Sequence, residues 1–166
     1  MSWCEECGYT YDLAVADRFG AEIPREVGEL ARIAAGVERT RLVRRTDPAQ
    51  WSPLEYACHV RDVLLVQRER VLLARRVEAP EAVPMGRDER AGYDGYIEAD
   101  PQEVAEELMV AARLFANTLG RLDIADWERT LVYGWPERTE RTLRWLAAHT
   151  QHEVRHHLLD VRRQLE

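Results

Sequence analysis

The sequence predicts an all-α fold, a four-helix bundle with a long crossover loop between helices two and three and a short N-terminal cysteine knuckle. Two observations carry this expectation. Four stretches place apolar residues at the 3–4 spacing of a helix face, and only one short run, residues 130–136, has the composition of extended chain. A chain of 166 residues, 46% hydrophobic, supports a single packed core that removes roughly 70% of the unfolded surface from water. No repeat or linker divides it. The expected organisation is therefore a Cys-x-x-Cys segment, residues 1–21, packed on a bundle formed by residues 22–166.

Helix one is expected over residues 24–43, with Pro24 near its start and Val27, Leu30, Ala31, Ala34 and Val37 on one face, until Asp47-Pro48 breaks the pattern. Helix two opens at Ser52-Pro53, where serine can cap the free amides, proline suits the first position and Glu55 completes a capping box. It runs through His59 to about residue 77. Residues 79–100 contain Pro80, Pro84, Gly86, Gly92 and Gly95 and read as a loop, long enough to cross the bundle in an up-down-down-up order and of a length common in functional lids. Helix three follows Asp100-Pro101 and ends near Gly120. Helix four begins around residues 139–142 and continues to the C-terminus.

Charge and composition remove several function classes. With 23 basic and 30 acidic residues the net charge is −7, which argues against a nucleic-acid partner. Apolar runs such as residues 63–66 fall far short of the ~20 residues that cross a bilayer, so no membrane association is expected. The first residues show neither the basic nor the apolar region of a secretory signal, and a cytoplasmic location is expected. All the basic residues are arginine. The absence of lysine excludes Schiff-base catalysis and reads as the codon bias of a high-GC genome.

Four of the five histidines fall between positions 149 and 157. Residues four apart differ by about 40° around a helix, so His152 and His156 point the same way, one turn apart, as two imidazoles sharing one metal do. His157 lies about 100° further round and is expected to face elsewhere. The remaining histidine, His59, sits mid-helix among Cys58, Val60, Val63 and Leu64 and is expected to point inward. Three converging imidazoles would leave open metal positions, the catalytic layout. A solvated polar stripe is the competing reading.

The string Trp51-Ser52-Pro53-Leu54-Glu55-Tyr56-Ala57-Cys58-His59-Val60-Arg61-Asp62 resembles the second-helix signature of the DinB-like superfamily of metal-binding four-helix bundles. The C-terminal run from His149 to Asp160 resembles that family's His-x-x-x-His helix. The resemblance implies a metal held by His59, His152 and His156, zinc first, with nickel, iron or manganese as alternatives. Asp62, three residues after His59, and Glu55 are candidates to orient the imidazole or act as a base, against simple pairing with arginine. His149 is a candidate proton shuttle or substrate ligand, against a polar residue near the bundle end. The family includes enzymes that use mycothiol or bacillithiol. The resemblance therefore implies a divalent-metal-dependent thiol S-transferase acting on an electrophilic small molecule, with mycothiol as the thiol favoured by the high-GC composition. A metal-dependent hydrolase for detoxification or self-resistance, and a non-catalytic metal-binding or dimerising module, are the alternatives; a homodimer is compatible with each. Arg87 and Arg90 could hold anionic substrate groups.

Cys4-Glu5-Glu6-Cys7-Gly8 resembles one knuckle of a zinc ribbon, with glycine allowing the tight turn, but the second Cys-x-x-Cys is missing. Three readings stay open: half of a second metal site completed elsewhere, a redox-active dithiol, or a vestigial turn. Cys58 points about 100° away from His59 and reads as a small buried hydrophobe.

Overall fold

Four long helices carry the fold: α1 (Phe19–Gly36), α2 (Pro53–Arg76), α3 (Pro101–Leu119) and α4 (Leu143–Leu165). The computed structural model describes residues 3–166; Met1 and Ser2, the first two residues of the expected 1–21 segment, lie outside the described residues. Each of the last three helices starts on a side-chain cap. Ser52 accepts from the Glu55 amide, and the Glu55 carboxylate accepts from the Ser52 amide at 2.8 Å, a reciprocal box that satisfies two otherwise free donors. Asp100 receives the amides of Gln102 and Glu103, and Thr142 that of Trp145.

Helix one departs from expectation at both ends. A 3₁₀ segment, Leu13–Arg18, leads into α1 at Phe19, so Pro24 lies inside the helix; α1 stops at Gly36, and Arg39–Leu42 forms a separate turn. Val37 is extended, which ends the ladder there.

Around the bundle the order is α1, α3, α2, α4, so α1 lies across from α2 and α3 across from α4. The core between them is built from fully buried Ile23, Leu30, Leu54, Leu64, Leu108, Phe115 and Leu146. Residues 130–136 begin a hairpin, as expected: β1 (Thr130–Tyr133) pairs antiparallel with β2 (Thr139–Thr142), and β2 runs directly into α4.

The connection from α2 to α3 is more ordered than a plain loop. It contains a helix, Arg87–Tyr93, and a 3₁₀ turn, Tyr96–Glu98. Ala82 donates to the Val132 carbonyl at 2.8 Å, and Val132 donates to Pro80 at 2.9 Å, stitching the segment to β1. Its inner end is held by Tyr96, which is buried and donates to Asp62 at 2.6 Å.

The N-terminal knuckle is a small hairpin, with Trp3 bridged to Thr10 and the Cys4 amide bonded to the Tyr9 carbonyl at 2.9 Å. Gly8, at φ +71°, turns the chain after Cys7, where a side chain would be strained. Tyr9 is buried and its hydroxyl donates to Gln151 on α4 at 3.0 Å. No helix among the described residues is long and apolar enough to cross a membrane.

Candidate metal centre

The polar face of α4 carries His149, His152, Glu153, His156 and His157, while Leu146, Ala147, Thr150, Val154, Leu158 and Val161 face the core. Glu153 is the hub. One of its carboxylate oxygens lies 3.8 Å from Nε2 of His59 and 3.5 Å from Nε2 of His157; the other lies 3.9 Å from Nε2 of His149 and 4.0 Å from Nδ1 of His152. Three other buried or half-buried carboxylates meet arginine: Glu55 meets Arg45, Asp62 meets Arg61 and Arg90, Glu26 meets Arg155. Among the described residues Glu153 meets imidazoles only.

The histidines fall into three overlapping groups: His59 with Glu153 and His157, His149 with His152 and Glu153, and His152 and His156 with Cys4 and Cys7. His157, expected to face elsewhere, packs edge-on against His59 with ring centroids 4.9 Å apart. The reason is the rotation of α4: Glu153 and His157 are also four residues apart, and it is their face that α2 covers.

His59, Glu153 and His157 fit a divalent ion by their chemistry. Two imidazoles and a carboxylate are a catalytic donor set for zinc and suit iron as well. Ligands held about 2.1 Å from a tetrahedral ion lie about 3.4 Å apart, close to the spacings around Glu153. Asp160 sits 3.0 Å from Nδ1 of His157, the carboxylate–imidazole support that orients metal histidines.

Charge follows this geometry. Burial lowers the His59 pKa and outweighs the opposing pull of the Glu153 carboxylate. Burial also pushes His149 down to about 4 and lowers His152, so both are neutral near pH 7. His157 goes the other way: burial would lower it, but Asp160 and Glu153 raise it to about 9. Burial would raise the Glu153 carboxyl, yet His157 and His59 hold it well below the usual carboxylate range.

His149 stacks on Trp145 and Trp135, at 4.7 and 5.0 Å between centroids, and Tyr11 reaches its Nδ1 at 3.0 Å. The Tyr11 hydroxyl also lies 2.9 Å from Nδ1 of His152. Asp62 stands apart from the histidines. It accepts from Arg61 at 2.8 Å, Arg90 at 3.2 Å and Tyr96 at 2.6 Å, so Arg90 is committed to it as well. Glu55 serves the α2 cap and Arg45.

A cleft of about 620 Å³ opens over Glu153 and His157, walled by Trp3, Trp135, Arg87 and the knuckle. Arg87 and His157 also line a neighbouring hollow bounded by Trp51 and Tyr56. The sequence motifs single out neither Glu153 nor Tyr11, and they place His157 away from the other histidines. Glu153-x-x-x-His157 has the same spacing as His152-x-x-x-His156 but reads as an ordinary helical ion pair, and Tyr11 carries no motif.

The profile of the DinB superfamily matches residues 24–161. The chain belongs to that superfamily. No curated protein matches it in sequence. Two solved structures share the fold. YfiT from Bacillus subtilis, described as a probable metal-dependent hydrolase with an unusual four-helix bundle topology, is 16% identical with a TM-score of 0.71, over 91% of this chain and 86% of that one. The mycothiol-dependent maleylpyruvate isomerase is 10% identical with a TM-score of 0.65, over 90% of this chain and 59% of that one.

Proposed function

We propose that the protein is a divalent-metal-dependent enzyme in which His59, Glu153 and His157 hold the metal, zinc by preference. In this reading it transfers a low-molecular-weight thiol of the mycothiol type to an electrophilic small molecule in the cleft. The observation that carries the reading is Glu153, a carboxylate ringed by imidazoles, without arginine, at the floor of that cleft. The names of the two fold neighbours, one metal-dependent and one mycothiol-dependent, support it. A divalent ion supplies Lewis acidity there, lowering the pKa of a coordinated thiol or water.

The chain's own groups do the rest. Glu153 brings negative charge to balance a cation, and Asp160 fixes the tautomer and direction of His157. His149, neutral and 3.9 Å from Glu153, can offer Nε2 to substrate as a hydrogen-bond partner while Tyr11 holds its other nitrogen. Trp3 and Trp135 give the cleft two aromatic walls, and Arg87, two-thirds exposed at its rim, can pair with anionic substrate groups.

The experiment has two parts. His157→Ala should remove one metal ion per chain; a ligand set of His59, His152 and His156 would leave the content unchanged. Turnover of an electrophile that needs both mycothiol and metal is the expected result, and metal-dependent turnover without thiol would establish the hydrolase instead.

A further inference from the structure

We propose that Cys4, Cys7, His152 and His156 form a second metal centre, a closed four-ligand zinc-type site that ties the N-terminal knuckle to α4. This goes beyond the catalytic reading and does not depend on it. One ligand atom from each of the four residues lies within 4.8 Å of all the others. The sulfur of Cys4 is 3.7 Å from Nδ1 of His156. In a tetrahedral zinc site with bonds of about 2.3 Å to sulfur and about 2.05 Å to nitrogen, sulfur and nitrogen lie about 3.6 Å apart.

Each imidazole has one nitrogen already held and the other free. Nε2 of His156 faces Glu6 at 3.3 Å and Asp160 at 3.8 Å, leaving Nδ1 for the cysteines. Nδ1 of His152 is taken by Tyr11 at 2.9 Å; its Nε2 is buried and has no hydrogen-bond partner. A supporting acceptor or hydroxyl behind each ring is the usual arrangement around metal histidines. Cys-x-x-Cys and His-x-x-x-His are also ligand spacings of structural zinc sites, so the missing half of the knuckle is supplied by α4. Both cysteines are free thiols and only partly buried. Loading the site releases their two protons to solvent, and two thiolates neutralise the charge of a divalent ion.

The centre would fix Tyr11 behind His152 and Glu6 at the cleft wall. Metal analysis of protein purified in reducing, chelator-free buffer should find one divalent ion per chain for this centre, besides any at His59, and the C4S/C7S double variant should carry one fewer. Cobalt-substituted wild-type protein should show a thiolate charge-transfer band and strong tetrahedral visible absorption, with the charge-transfer band lost in C4S/C7S. Unchanged metal content in C4S/C7S, no thiolate band in wild type, or a Cys4–Cys7 disulfide in the purified chain would overturn the proposal. A single ion lost in C4S/C7S but kept in His157→Ala would uphold this centre and sink the catalytic one.

Discussion

Glu153 shows how much one side chain can decide. A carboxylate with imidazoles around it offers donors to a cation, whereas the same carboxylate beside an arginine would be committed to that partner. Glu153→Gln keeps the shape and removes the charge. It should weaken metal binding at the His59 centre by more than the ~10–100-fold typical of losing a supporting partner, measured by chelator competition. The cysteine centre should keep its ion. An unchanged affinity would mean the metal sits elsewhere. His59 was legible as inward-facing because its own helix surrounds it with apolar residues. Whether Glu153 or His152 meets it depends on how α4 is rotated against α2, and no local pattern records that.

Element starts were the most readable feature of the chain, since capping chemistry is local. The Ser52–Glu55 box illustrates the energetics. Burial raises the Glu55 carboxyl, but hydrogen bonds from Arg45 and Ser52 outweigh it and leave the pKa below its ordinary value. A depressed folded-state pKa gives stability that is present above the unfolded value, about 4.3, and is lost as pH falls through the folded one. Glu55→Gln should therefore cost about 1–2 kcal/mol at pH 7 and flatten the acid limb of stability below pH ~4.3, as followed by denaturant melts across pH. An acid limb as steep as wild type would count against the assignment. The crossover segment was less readable, because its order comes from distant partners. Asp62 holds it through Arg90 and Tyr96. Asp62→Asn should cost roughly 1–3 kcal/mol and speed hydrogen exchange across residues 87–98 with metal content intact. A loss of turnover without that loosening would restore Asp62 to a catalytic role.

At the scale of the whole molecule, the two proposed centres would link elements far apart in sequence: α2 to α4, and the knuckle to α4. Ions that bind only the folded chain stabilise it by mass action. Free metal a hundredfold above Kd adds about 2.7 kcal/mol, which at about 2–4 °C per kcal/mol is roughly 5–11 °C for a domain of this size. Chelation should lower Tm by that order in wild type and by less in C4S/C7S. Equal shifts in both proteins would separate the cysteines from any stabilising ion.

Local chemistry in the sequence was enough for the all-α class, the caps of the second and third helices, the extended run before α4 and the turn at Gly8. Periodicity and capping act within a few residues, so they can be read one stretch at a time. The same locality misplaced the start of α1, where a 3₁₀ segment leads in, and gave the crossover no structure of its own. The five histidines could be recognised as ligand chemistry, but their division could not. Two interleaved four-residue spacings on α4 offer two faces, and packing decides which face meets α2 and which meets the knuckle. That choice brings Glu153 and His157 to His59, and His152 and His156 to Cys4 and Cys7, with Glu153 also within reach of His152.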